Sequence, residues 1–111
     1  MPYLVNGESA DIPEAVEANG TLFVPCADLA NALGGYVDWN HSEKTAKIEL
    51  GDAVGFIHND NEIAEVNGVK YNMNAKPYIQ DSTLWAPVRV FRDAFGMKLH
   101  VDGSTVKIDR F

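Results

Sequence analysis

Basic clusters, paired cysteines and long apolar runs are all missing from this chain of 111 residues, and each absence removes a class of function. Nine Lys and Arg stand against sixteen Asp and Glu, a net charge of −7, and the bases are nowhere grouped. Nucleic-acid binders need such groups to displace counterions from phosphates, so no nucleic-acid partner is expected. The single cysteine, Cys26, excludes an intrachain disulfide and any Cys-based zinc site. No apolar stretch approaches the roughly 20 residues that span a bilayer, so no membrane insertion is expected. Residues 1–8 have neither the basic start nor the apolar stretch of a signal peptide. Three settings stay open: a cytoplasmic protein, a module cut from a longer chain, or export by another route.

The residues present describe one ordinary domain, or two very small halves sharing one core. With 46% apolar residues, a chain this long buries roughly two-thirds of its unfolded surface and can fold unaided. Charge is unevenly spread. Residues 1–55 carry nine acids and two lysines, whereas residues 56–111 carry seven of each sign. Glu8, Asp11, Glu14 and Glu17 recur at every third position. They read as a solvated loop and strand rim; the sharper alternative is a face for a basic partner or loosely held cations.

Internal repetition is the strongest pattern. Val5-Asn6-Gly7 returns as Val66-Asn67-Gly68, shifted by 61, and Thr21-Leu22-Phe23-Val24-Pro25 returns as Thr83-Leu84-Trp85-Ala86-Pro87, shifted by 62. Ala32-Leu33-Gly34 returns as Ala94-Phe95-Gly96, and Thr45-Ala46-Lys47-Ile48 as Thr105-Val106-Lys107-Ile108. The expectation is a single domain over 1–111, made of a first half at 1–52, a connecting hairpin at 53–65 and a second half at 66–111.

Each half reads alike. Asn-Gly between short apolar runs signals a hairpin whose central residues need positive φ, and a second turn follows at Asn19-Gly20 or Asp81-Ser82. A strand at 21–24 or 83–86 leads to a proline placed at the first helical position, where its missing N–H costs nothing. Cys26, Leu29, Ala30 and Leu33 form one helical stripe; Val88, Phe91 and Phe95 form the other. Gly34 and Gly96 supply left-handed caps. Strands at 36–40, 45–50, 98–102 and 105–110 follow, and a central hairpin at 53–58 and 62–66 turns at Asn59-Asp60. The fold class is α+β: antiparallel hairpins with one short α-helix per half. Parallel βαβ units are not expected, because the crossovers are too short.

The succession Phe23-Val24-Pro25, Ala32-Leu33-Gly34, Val37-Asp38-Trp39-Asn40 and Thr45-Ala46-Lys47-Ile48 resembles the N-terminal stalk domain of copper amine oxidases, in the form found on Gram-positive surface proteins. The second copy reads Trp85-Ala86-Pro87-Val88-Arg89, Ala94-Phe95-Gly96 and Leu99-His100-Val101-Asp102. The family usually has arginine two residues after the proline; Arg89 keeps it and Ala27 does not. The resemblance implies antiparallel strands wrapped against helix, and a non-catalytic appendage that spaces or docks. Copper and quinone chemistry belong to a separate domain of those oxidases. This chain has neither an Asn-Tyr-Asp/Glu sequence nor a His-x-His pair.

The residues offer little chemistry of their own. A metal needs three or four converging ligands, and the repeat sets Asp38 against His100, so His41, His58 and His100 read as structural or surface histidines and no metal or cofactor is expected. Cys26 lies on the apolar stripe and reads as a small buried hydrophobe, although a helix start can lower a thiol pKa. Asn59-Asp60-Asn61-Glu62 lacks the calcium-loop pattern and reads as a turn. There is no Gly-x-Ser-x-Gly and no phosphate loop, so an enzyme is not expected.

The aromatics say more. Period two joins Val37 to Trp39 and reads Trp39 as core. Phe23 and Trp85 alternate away from the Leu22/Val24 and Leu84/Ala86 faces. If the leucine face is the core, Phe23 and Trp85 remain for a second layer, a subunit contact or a sugar-stacking surface. Tyr36, Tyr71 and Tyr78 complete the candidate binding rim, where rings give contact area with a polar tip. Arg89 and Asp93, four apart, are placed to pair.

Two functions follow. One is an envelope-associated binding or spacer module at the cell surface, docking to a cell-wall polymer or a protein partner. The other is a structural accessory or decoration subunit of a bacteriophage particle or other surface assembly.

Overall fold

A computed structural model describes residues 2–103 and 105–110. Its first part runs β1 (Tyr3–Val5), β2 (Glu8–Ala10), β3 (Val16–Ala18), β4 (Thr21–Pro25), α1 (Cys26–Ala32), β5 (Tyr36–Asn40) and β6 (Thr45–Leu50). Two central strands follow, β7 (Ala53–His58) and β8 (Ile63–Val66). The chain ends with β9 (Val69–Asn72), β10 (Tyr78–Gln80), β11 (Thr83–Pro87), α2 (Arg89–Asp93), β12 (Lys98–Asp102) and β13 (Thr105–Asp109). The α+β class holds, with mostly antiparallel sheets.

Local chemistry sets the turns. Asn6 and Gly7 take φ of 52° and 81°, and Asn67 and Gly68 take 52° and 79°. These are the left-handed values that a two-residue hairpin needs to match strand twist. Gly34 and Gly96 close the helices at φ of 87° and 79°. The prolines depart from expectation: Pro25 and Pro87 end strands β4 and β11, and Pro25, extended at φ −72° and ψ 112°, caps α1 from outside. A fixed φ suits the end of a strand as well as the start of a helix. The helices have only 7 and 5 residues, too short to persist alone, so packing holds them.

The strands form three sheets, ordered β12-β13-β1-β2, β10-β11-β4-β3 and β5-β6-β7-β8-β9. One pairing is parallel: β1 lies on β13 with Tyr3 opposite Val106 and Val5 opposite Ile108. Asn6 N–H donates to the Ile108 carbonyl (3.0 Å), and the Asn6 side-chain oxygen accepts from Arg110 N–H (2.8 Å). The first strand is thus stitched to the last.

One continuous core joins the sheets, with Tyr3, Leu29, Leu50, Ile57, Phe91 and Ile108 among its largest buried side chains. Helix α1 packs on β5, β6 and β11, and α2 lies against β12. Both predicted helical stripes are buried. The predicted Arg89–Asp93 pair is replaced: Asp93 takes Arg92 (2.7 Å) and the Tyr71 hydroxyl (2.7 Å), because its neighbour and β9 reach it first.

Candidate functional site

Strands β4 and β11 decide where the predicted aromatics go. Val24, Leu84 and Ala86 are buried in the core, so alternation sends Phe23 and Trp85 to the other face of their sheet. There Tyr78, opposite Trp85 in register, bridges the two. Its ring centroid lies 5.1 Å from Phe23, edge-on, and 6.4 Å from Trp85, stacked. Phe23 is only 6% exposed, which withdraws it from the predicted rim: an edge-on ring beside it shields it from solvent. Trp85 and Tyr78 are half-buried.

The other two tyrosines lie elsewhere. Tyr71 donates its hydroxyl to Asp93, and burial, then this bond, raises its pKa. The Arg92 hydrogen bond, aided by Tyr71, holds the Asp93 carboxyl below its usual value against a smaller desolvation effect. Tyr71 therefore joins β9 to α2. Tyr36 stands on edge strand β5 and is 75% exposed. The five predicted aromatics thus make one cluster, one tie and one isolated ring.

Trp39 corrects the sequence reading. It shares a face with Val37 and lies opposite the buried Ala46, yet it is 39% exposed. A helix of seven residues spans about 10 Å, whereas a strand of five spans about 17 Å. The end of β5 therefore outruns the cover that α1 provides. The indole lines a hollow of about 540 Å³ between α1, the β5–β6 ladder and the β10–β11 hairpin, together with Cys26, Ala46, Ile79 and Leu84. Asp28, His41 and Lys44 also line it. Ile79, 38% exposed, was not singled out from sequence; its alternation with Tyr78 was the available signal. An apolar hollow with a few polar groups is the usual form of a small-ligand or side-chain site.

Cys26 is buried, and burial pushes its thiol pKa up to about 12. The native state thus prefers the neutral thiol. Its stabilising effect is complete below the ordinary value of 9.0 and is lost as pH rises from there towards about 12. Thiol labelling at pH 8 should be on the order of a hundredfold slower in native protein than in urea. Cys26→Ala should remove the part of the alkaline destabilisation that begins near the ordinary thiol pKa. Equal labelling rates in both states would contradict the burial.

Among the described residues, no three His, Cys, Asp or Glu come together to hold a metal ion. Among them, too, no helix is long and apolar enough to cross a membrane. His41 and His100 are exposed, and His58 is tied to Thr45 at 2.7 Å.

A search of curated proteins found no match for this chain. Comparison with family models gave a match to the copper amine oxidase N-terminal domain over residues 4–109, nearly the whole chain. In copper amine oxidases this is a non-catalytic accessory domain, consistent with a site built from aromatic and apolar side chains around an enclosed thiol. The extent of that match and the mostly antiparallel strands packed on two short helices lead to one conclusion: the chain belongs to the copper amine oxidase N-terminal domain family.

Proposed function

We propose that this chain is a non-catalytic docking and spacing module of a bacterial envelope, exposed at the cell surface, which meets its partner through aromatic side chains. The observation that carries the reading is Trp39, 39% exposed at the mouth of the 540 Å³ hollow. A large ring left half-open beside an apolar hollow is the form of a binding anchor. Trp85, Tyr78 and Tyr36 supply further aromatic surface, while Phe23 serves as their packing support.

The same proposal includes an architecture of two homologous halves. Strands β4 and β11 pair Phe23 with Pro87, Val24 with Ala86 and Pro25 with Trp85. The pairing is centred on Val24 and Ala86, positions that the 62-residue shift makes equivalent. A two-fold axis through that pair would require this register. Asn6 and Asn67 further support it: each side-chain oxygen accepts a backbone N–H, from Arg110 at 2.8 Å and from Val54 at 2.9 Å. The halves differ in how their sheets close: β7 stands between β6 and β8, whereas β13 meets β1 directly.

Co-sedimentation with purified Gram-positive walls tests the function. A net charge of −7 is repelled by anionic wall polymers, so retention should rise once those polymers are stripped. Trp39→Ala should then weaken it at least about tenfold, about 1.4 kcal/mol, the scale of a buried aromatic anchor. Equal retention of a folded Trp39→Ala protein would remove Trp39 from the contact. No retention on either preparation would overturn wall docking in favour of a structural subunit of a phage or surface assembly.

A further inference from the structure

The open face of the five-stranded sheet holds a second hollow, of about 560 Å³, within the roughly 300–1,000 Å³ of small-molecule sites. Register sets out its walls. Asp38, Lys47 and Phe56 lie side by side across β5, β6 and β7, with Asn40, Thr45 and His58 in the next row on the same face. Phe56 is 36% exposed on an interior strand of the sheet, although its neighbours across the ladders are Lys47 and Glu65. An aromatic ring about a third open to water on a charged face offers apolar contact area to a ligand.

The wall beside it is held in place by hydrogen bonds. The Asn40 side-chain oxygen accepts from the Ser42 hydroxyl and from Glu43 N–H, both at 3.0 Å, while the amide nitrogen donates to the Glu43 carboxylate at 3.2 Å. The Thr45 hydroxyl lies 2.7 Å from His58 Nδ1 and 3.1 Å from the Glu43 carbonyl oxygen, so it ties the imidazole to the turn.

We propose that this hollow is a carbohydrate site, with the Phe56 ring as its stacking floor and Asp38, Asn40, Lys47 and His58 as its hydrogen-bonding walls. The chemistry selects the ligand class. The negative face of an aromatic ring attracts the weakly positive C–H faces of a pyranose. Vicinal hydroxyls both donate and accept, as the mixture of ammonium, amide, imidazole and carboxylate requires. Asp38 and Glu43 repel phosphate or another polyanion, and the charged walls reject a purely apolar ligand. The proposal takes its biological setting from the wall-docking reading, but its ligand rests on this geometry alone.

Titration of the intact chain with cellohexaose and chitohexaose, followed by amide NMR, tests it. At millimolar sugar, amide shifts should concentrate in residues 38–47 and 54–58. Phe56→Ala should weaken the binding at least tenfold in a protein that stays folded, and Asp38→Asn should weaken it several-fold, while Ile79→Ala, in the other hollow, leaves it within twofold. No shifts with either sugar, shifts confined to residues 26–28, 79 and 82–84 of the other hollow, or full affinity in Phe56→Ala would each overturn the site. Wall retention that survives loss of sugar binding in Phe56→Ala contradicts sugar-mediated docking and leaves docking by another face. Sugar binding without wall retention upholds the site and overturns the docking reading.

Discussion

Phe91→Ala should lower the stability of the domain by about 3–5 kcal/mol, the cost of truncating a fully enclosed phenylalanine. Phe91 is 0% exposed and stacks on Phe95 with ring centroids 5.7 Å apart. It is also the main anchor of α2, whose five residues have no side-chain cap at the first turn. Propensity alone cannot hold so short a helix, so the cavity and the loosened helix add to the lost transfer energy. A domain of this size has about 5–15 kcal/mol in total, and the melting temperature should fall by roughly 10–25 °C. Urea unfolding should show a lower midpoint at unchanged slope. A loss below about 1 kcal/mol would mean that Phe91 is not enclosed as described.

Gly55→Ala is the second large effect, and its mechanism can be separated from simple overpacking. A Cβ built on Gly55 would lie 2.5 Å from Phe95 Cζ and 2.9 Å from Val66 Cγ2. Phe95 is itself enclosed and stacked on Phe91, so its ring has little room to retreat. A cost of about 1–3 kcal/mol is expected, the range for forcing an extra carbon into a packed core. Phe95→Leu shortens the opposing side chain and should recover part of that loss. The double-mutant cycle should therefore show a favourable coupling of about 0.5–2 kcal/mol. Strict additivity would show that the ring does not meet Gly55. Gly35 makes a useful contrast: its Cβ would lie 2.6 Å from the Glu49 carbonyl oxygen, a backbone atom that no side-chain change can move.

The contacts of Gly35 and Gly55 are with neighbours distant in sequence, Glu49 and Phe95, which is why the sequence reading passed over them. It treated Gly34 differently because a helix-ending glycine has a local cause, a φ of 87°. The four turns at Asn6-Gly7, Asn19-Gly20, Asn67-Gly68 and Asp81-Ser82 were legible for the same reason: the conformation is a property of the dipeptide. Four of the predicted strand spans, 36–40, 45–50, 53–58 and 98–102, match the observed strands, since alternation is a two-residue period.

Aromatic exposure followed different rules. Period two correctly assigned Trp39 to the inner side of β5, but the reach of a seven-residue helix decided that the indole stays half-open. Phe23 was set apart from Leu22 and Val24 by alternation, with the choice of core face left open; the structure buries the Val24 side, yet Tyr78, 55 positions away, encloses Phe23. Phe56 was read only as part of a strand at 53–58. Its alternation with the buried Ile57 places it outside, but only the strands beside it show that it floors a hollow.

The sequence by itself determined the turns, the helical stripes, the α+β class and which side chains share a face of a strand. These depend on backbone preferences and on periods of two and 3.6 residues, all contained in short windows. The tertiary structure alone decided that β1 closes against β13, which rings are covered, and where the two hollows open. Such outcomes depend on which distant surface arrives and how far it extends, and periodicity fixes a side chain's direction without fixing what meets it.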